Sequence, residues 1–341
     1  MPTLKDVARD ADVSVSTVSR AFNSPEKVRP DTLQRVREAA DRLGYQPSRV
    51  ARRLRLKNGK AGLIGLVIPD IRNPFFADIV RGVEDIAYEH DYSLVLSNSD
   101  EDPDRQKVVL DTFRTENVDG IIVPPVSMEA PAVRELAEAS TPLVCIDRHV
   151  DDLRVDTISS ANQQGAYEAV THLIELGHER IAFIGGIRHI STITKRREGY
   201  ESALRGHSLP VDASLVKEGA KYRERGRAHT KALLDRQQPP TALFTGNNLT
   251  TLGALSALNQ HGVEVPEDMA LVGYDDIPWA MALNPPPTVV DQPGYEMGNR
   301  AAELLLRRLS EPDRSATTVT LQPKLVVRHS CGANHASRPS V

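Results

Sequence analysis

Between Ser14 and Asn23 the chain reads SVSTVSRAFN. On a helix, Ser16 and Arg20 stand four residues apart on one face, flanked by Thr17 and Ser19, while Val18 and Phe22 share the opposite face. An arginine's planar fork can donate to guanine O6 and N7 together, hydroxyls suit phosphate oxygens, and a side chain such as Val15 can touch a thymine methyl. The chemistry suggested is recognition of a duplex. The same spacing also fits an ordinary three-helix bundle with a polar outer face. Catalytic arrangements are missing. No GxGxxG follows a strand-like run, Gly185-Gly186 stands alone, and GxxxxGK[ST], HExxH and GxSxG do not occur. Cys145 and Cys331 lack any CxxC spacing. No catalytic residue, cofactor or metal is therefore expected.

The elements that would position this face can be read around it. Leu4, Val7, Ala8 and Ala11 make one apolar stripe behind Thr3 as N-cap. Asp12-Val13 breaks that helix and Ser14 caps the next. Pro30 suits a helix start, Leu33, Val36, Ala40 and Leu43 form a third stripe, and Gly44 ends it. Two short helices joined by a tight turn, the second polar outward, describe a helix-turn-helix whose second helix enters a major groove. Charge supports the polyanion partner. The first 60 of the 341 residues carry +7 and the remainder −11, within an overall −4. The longest apolar or glycine run, Ala61 to Ile68, is far too short to span a bilayer. Lys5, Asp6, Arg9 and Asp10 stand where the apolar part of a leader would be, so the cytoplasm is the expected compartment and no membrane partner is expected.

The segments TLKDVARDADVSVSTVSRAFN and VRPDTLQRVREAADRLGYQPS resemble the N-terminal domain of the LacI/GalR family of bacterial transcription regulators. The resemblance implies an all-α DNA-binding head at residues 1–46. In it Val15, Ser16 and Arg20 would face base edges, while Thr3, Ser14, Thr17, Ser19 and Asn23 would hold phosphates. RVARRL, within residues 47–59, is similar to the family's hinge helix. Leu54 would then be a minor-groove wedge, with Arg49, Ala51 and Arg52 beside it on the DNA. So short and basic a segment is expected to fold only on DNA, paired with its twin.

Beyond Gly62, strand-like runs at Leu63–Ile68, Ser93–Leu96, Gly120–Val123, Leu143–Ile146, Arg180–Ile184, Ala242–Phe244 and Ala270–Val272 alternate with helical stretches. Repeated βα units predict parallel sheets covered on both faces, and seven strands suggest two sub-domains with a break near Ile158–Asn162. IPDIRNPFFADIVRGVE, VDGIIVPP, LGHERIAFIGG and LVGYDDIPWA continue the family resemblance. It implies a periplasmic-binding-protein-like α/β core at 60–335 of two Rossmann-like lobes. The N-lobe would take about 60–160 and 291–320, the C-lobe about 161–290 and 321–335, leaving 336–341 as a tail. Ligands of open α/β sheets bind at the carboxyl ends of strands, and there the chain carries Phe75, Phe76, Asn98, Asp147, Asn247 and Asp275. Arg196 opens an RxxGY pattern, and the family's matching arginine grips the effector; Gln292 matches a further effector position. Carboxylates that accept hydroxyls, an arginine fork and aromatic faces suit a polyol.

Two departures bear on the ligand. Lys221 falls where relatives carry a stacking aromatic, with Tyr222 next to it, and Asn247-Asn248 replaces the common Asn-Asp. A neutral sugar or nucleoside is expected ahead of a sugar phosphate. The reading is a repressor, homodimeric or tetrameric, on a pseudo-palindromic operator in double-stranded DNA. The alternatives are a regulator controlled by a phosphorylated partner protein, a plain sugar-binding module, and an enzyme acting on sugars.

Overall fold

The computed structural model describes residues 2–23, 25–45, 61–219 and 222–333, and the side chain of Asn23 is not among what it describes. Arg49, Ala51, Arg52 and Leu54 of the hinge, Lys221, and the tail at 336–341 lie outside the described residues. The chain divides into two compact units, Met1–Ala61 and Gly62–Val341.

The first unit is helical. α1 (Leu4–Asp10) opens with a capping box, in which Thr3 Oγ1 accepts from the Asp6 N–H and the Asp6 carboxylate accepts from the Thr3 N–H. Ser14 Oγ accepts from the Thr17 N–H at 3.1 Å and starts α2 (Val15–Asn23). α3 (Pro30–Leu43) stops at Gly44, whose φ of 61° is the left-handed stop glycine tolerates best. The core is built of small residues (Val7, Ala8, Ala11, Val18, Ala21, Val36, Ala39 and Ala40), so the helices pack close. Arg35 of α3 ties down the turn by donating to the Ala11 and Asp12 carbonyls at 2.5 and 3.0 Å.

The second unit has two six-stranded sheets. One contains β1 (Leu63–Ile68), β2 (Ser93–Asn98), β3 (Gly120–Val123), β4 (Leu143–Ile146), β5 (Asp156–Ser160) and β11 (Thr318–Leu321), in the order β11-β5-β4-β3-β1-β2 and parallel throughout. The other contains β6 (Ile181–Ile184), β7 (Val216–Lys217), β8 (Ala242–Thr245), β9 (Ala270–Tyr274), β10 (Thr288–Asp291) and β12 (Lys324–Val326). Its order is β12-β10-β9-β8-β6-β7, with only β12 antiparallel to its neighbour. Runs such as LVCI are apolar at every position because helices cover both faces.

The first sheet carries α4 (Pro74–Glu89), α5 (Pro103–Thr115), α6 (Pro131–Glu138) and α11 (Gly294–Ser310). The second carries α7 (Asn162–Glu175), α8 (Ser191–Gly206), α9 (Tyr222–Leu234) and α10 (Asn248–Gln260). In α4 the residues Phe75, Ile79, Val83 and Ala87, four apart, are buried as one stripe. α4 and α11 meet backbone to backbone: a Cβ on Gly82 would lie 2.2 Å from the Tyr295 carbonyl, and one on Gly298 would lie 2.2 Å from that of Ile79. The chain passes between sheets after β5, after β10 and, in two residues, between β11 and β12.

β5, β7, β10, β11 and β12 are strands that the sequence pattern did not predict. β7 and β12 are two and three residues long, and DTISS and TVTL mix hydroxyls with single aliphatics. Such segments are too short or too polar for a hydrophobic period to register; pairing with an existing edge defines them. Among the described residues no helix is long and apolar enough to cross a membrane.

Candidate functional site

In the first unit, α2 presents the residues expected to meet DNA. Val15 is 41% exposed, Ser14, Ser16 and Arg20 are exposed, and Thr17 and Ser19 are half-buried at the helix margin. Ser14 Oγ lies 2.7 Å from Ser16 Oγ and 2.8 Å from Thr17 Oγ1, so three hydroxyls cluster at the helix start. The N–H groups at a helix start favour an anion at the same place. Thr3, also exposed, is engaged in the α1 cap.

In the second unit a cavity of about 860 Å³ opens between the two sheets' carboxyl ends. Seven of the expected residues line it: Phe75, Phe76, Asp147, Arg196, Tyr222, Asn247 and Asp275. Phe75 and Phe76 start α4 behind Asn73, whose Oδ1 caps the helix by accepting from the Phe75 N–H; their rings pack edge to face, 5.1 Å apart. Asp147 and Asp275 follow β4 and β9 at φ 66° and 65°, a conformation that turns each carboxylate off its strand end. Both are 4% exposed. Burial pushes the Asp147 carboxyl up to about 6, although Arg148 and Arg196 pull the other way. Burial also raises Asp275, against the opposing effects of Arg196 and the Gln292 hydrogen bond.

Arg196 is held from its own lobe. Nε donates to Asn162 Oδ1 at 2.7 Å and Nη1 to the Gly246 carbonyl at 2.6 Å. The guanidinium lies 3.7 Å from the Tyr274 ring centroid, and Nη2 is 3.7 Å from Asp275 Oδ1. Asn247 caps α10, its Oδ1 accepting from the Thr250 N–H, so its amide N–H₂ remains as a donor. Asn248 Nδ2 donates across the cleft to Asn73 Oδ1 at 2.8 Å. This accounts for the asparagine at 248, since a carboxylate there could not donate.

Two expected residues do not line the cavity. Gln292 stands behind Asp275 and donates Nε2 to its Oδ1 at 2.6 Å, orienting the carboxylate. Asn98 ends β2 half-buried, its carbonyl accepting from Arg105 Nε at 3.1 Å. Other lining residues were missed in the sequence, among them Asn73, Glu101, Arg148 and Thr192. Arg148 adjoins Asp147, and that Asp-Arg pair at a strand end was the available signal. Glu101 sits in the acidic run Asp100–Asp102, which gives no hint of an inward side chain. Asp147 Oδ1, Arg148 Nε and Asn248 Oδ1 are buried without a hydrogen-bond partner among the described residues, polar atoms a bound ligand could satisfy. No group of three His, Cys, Asp or Glu among the described residues could hold a metal ion.

Known proteins share both units. Residues 3–48 match the family model of bacterial regulatory proteins, lacI family, and residues 170–331 that of a periplasmic binding protein-like domain. The HTH-type transcriptional repressor PurR of Haemophilus influenzae is 36% identical over 334 residues, 97% of this chain and 98% of PurR. The structure is similar to the lac repressor dimer bound to operator and an anti-inducer (TM-score 0.85, 27% identity, 97% and 99% of the two chains). It is also similar to the CelR–cellobiose complex (TM-score 0.74, 33% identity, 97% and 100%). With a helix-turn-helix head and a two-lobed cleft joined in one chain, and relatives matched nearly end to end, the protein belongs to the LacI family and is a DNA-binding, ligand-modulated transcriptional regulator.

Proposed function

We propose that the protein is a cytoplasmic, homodimeric repressor of a pseudo-palindromic operator, and that its effector is a neutral sugar held in the inter-lobe cavity. One observation carries the ligand class: among the described residues, seven carboxylates line the cavity (Asp70, Asp100, Glu101, Asp102, Asp147, Glu224 and Asp275) against four guanidiniums (Arg72, Arg148, Arg196 and Arg223). That balance is hostile to an anion and supplies acceptors for many hydroxyls. Phe75 and Phe76 offer an apolar face, Arg196 Nη2 and the Asn247 amide offer donors, and the volume accommodates a mono- or disaccharide. CelR, whose complex holds cellobiose, supports the class.

The test is a thermal-shift screen of the full chain against neutral sugars, nucleosides and sugar phosphates. A ligand at 100-fold its dissociation constant should add about 2.7 kcal/mol of stability. Stabilisation by sugar phosphates alone, or by nucleosides alone, would refute the proposal. On the DNA side, Val15, Ser16 and Arg20 read bases and Thr3, Ser14, Thr17, Ser19 and Asn23 hold phosphates. Arg20→Ala is then expected to cost on the order of 1–3 kcal/mol on operator and to relax one position of the site. Equal weakening on operator and random duplex, measured by fluorescence anisotropy at fixed salt, would remove the base-reading role.

A further inference from the structure

The N-lobe wall of the cavity holds an ion pair whose consequence goes beyond the charge balance. Arg148 and Glu101 meet fork to fork, Nη1 to Oε2 and Nη2 to Oε1, both at 2.7 Å. Their side chains are 5% and 13% exposed. Arg148 Nη1 also donates to the Pro125 carbonyl at 3.2 Å, and Nε lies 3.4 Å from Asp147 Oδ2. The guanidinium therefore sits between two carboxylates. The backbone aims Glu101 there: Asp100 and Glu101 follow each other at φ 52° and 59°, a region costly for residues with a Cβ. The Ser99 and Asp100 N–H groups donate to the Ile68 and Pro69 carbonyls at 2.8 and 2.9 Å, and Asp102 caps α5, so the loop is pinned on both sides. From the other lobe, Tyr222 Oη donates to Glu101 Oε1 at 3.4 Å.

We propose that Glu101 sets the charge specificity of the cleft: by occupying both Nη groups of Arg148 it excludes phosphorylated sugars. The proposal rests on reading the cavity as a sugar site. A phosphate is the other partner whose paired oxygens match a guanidinium fork. To reach Arg148 it would have to displace Glu101 and lie beside Asp147 in a buried setting, where like charges repel strongly. Arg196 offers no ready substitute, because Nε and Nη1 are taken and Asp275 lies at 3.7 Å. Arg72 is bonded to Asp70, and Arg223 is exposed at the rim. A neutral sugar avoids this conflict, since its hydroxyls can donate to Glu101 and Asp147 while the ion pair stays intact.

Glutamine in place of Glu101 keeps the shape and removes the charge. The experiment is titration calorimetry of full-length wild type and Glu101→Gln with ribose and glucose, their 5- and 6-phosphates, and inorganic phosphate. Glu101→Gln should gain about tenfold or more in affinity for the phosphorylated sugars and for inorganic phosphate, and the gain should vanish in Glu101→Gln/Arg148→Met. Glu101→Ala should shift selectivity the same way. A merely structural Glu101 would weaken every ligand on replacement and gain none, and that result overturns the proposal. So does a wild type that prefers the phosphorylated sugars. If the wild type binds neither neutral sugar, the sugar reading loses its support, yet inorganic phosphate still decides the role of Glu101: a gain in Glu101→Gln upholds it and no gain refutes it.

Discussion

The two walls of the cleft follow one plan with different electrostatics. Asp147 and Asp275 both follow a strand in the left-handed region, and both backbone N–H groups reach the neighbouring strand at 2.8 Å, to Ile158 in one lobe and Val290 in the other. Each carboxylate has an arginine within 4 Å. In the N-lobe that arginine, Arg148, is already neutralised by Glu101 at 2.7 Å. In the C-lobe Arg196 is fixed by hydrogen bonds to a carboxamide and a backbone carbonyl and by an aromatic face, and its one carboxylate neighbour, Asp275, stands off at 3.7 Å. Such anchoring orients the guanidinium and cancels less of its charge than the bidentate Glu101 carboxylate cancels of Arg148. For the sugar proposed above, the C-lobe wall would then be the gripping side and the N-lobe wall an acceptor surface.

Removing Arg196 should expose that difference most strongly. Arg196→Ala removes the buried cavity guanidinium that lacks a bidentate carboxylate partner, and should weaken a neutral sugar by on the order of 3 kcal/mol, the scale of losing charged hydrogen bonds in a buried site. Isothermal titration reads the loss directly. If Arg148→Ala proves the more damaging of the two, the gripping side has been assigned to the wrong wall. A smaller effect is expected where the walls touch. Asn248→Asp removes the donor to Asn73 and sets a carboxylate against the Asn73 carbonyl oxygen, which should destabilise the closed cleft and cost about 1 kcal/mol of ligand affinity. An unchanged affinity would mean that this cross-lobe bond does not contribute to closure.

The contrast between the walls was only partly legible in the sequence. The head could be read almost residue by residue because its contacts are local: caps, stripes and turn residues lie within a few positions of one another, as Thr3 with Asp6 and Ser14 with Thr17 show. Residues at strand ends were found for a similar reason, since β4 and β9 announce themselves as apolar runs. What the pattern could not reveal was pairing across long separations. Glu101 meets Arg148 47 positions away and Asn73 meets Asn248 175 positions away. That Gln292, which matched a ligand position, also orients Asp275 was not legible, because a side chain's partner depends on where β10 enters the sheet.

The smallest effect is a proton. In the free protein, burial holds Asp147 at about 6, above its ordinary value of 3.8, so the folded state binds a proton the unfolded chain would release. Stability contributed by this group therefore falls as pH rises from about 4 to about 6. Ligand affinity should run the opposite way. An ionised carboxylate accepts hydroxyls through both oxygens, whereas the protonated acid has lost acceptor capacity, so a sugar that donates to Asp147 binds the ionised form and displaces the proton. Between pH 7 and pH 6 the affinity should drop about twofold, and binding at pH 6 should release roughly half a proton. Calorimetry in buffers of different ionisation enthalpy measures that release. Asp147→Asn should lose most of the slope and the proton, while Asp275→Asn should diminish them less, because Asp275 lends Asp147 only part of its upward shift, most of which comes from burial. Proton release that survives in Asp147→Asn but vanishes in Asp275→Asn would place the titrating acceptor on the C-lobe wall and reverse the comparison.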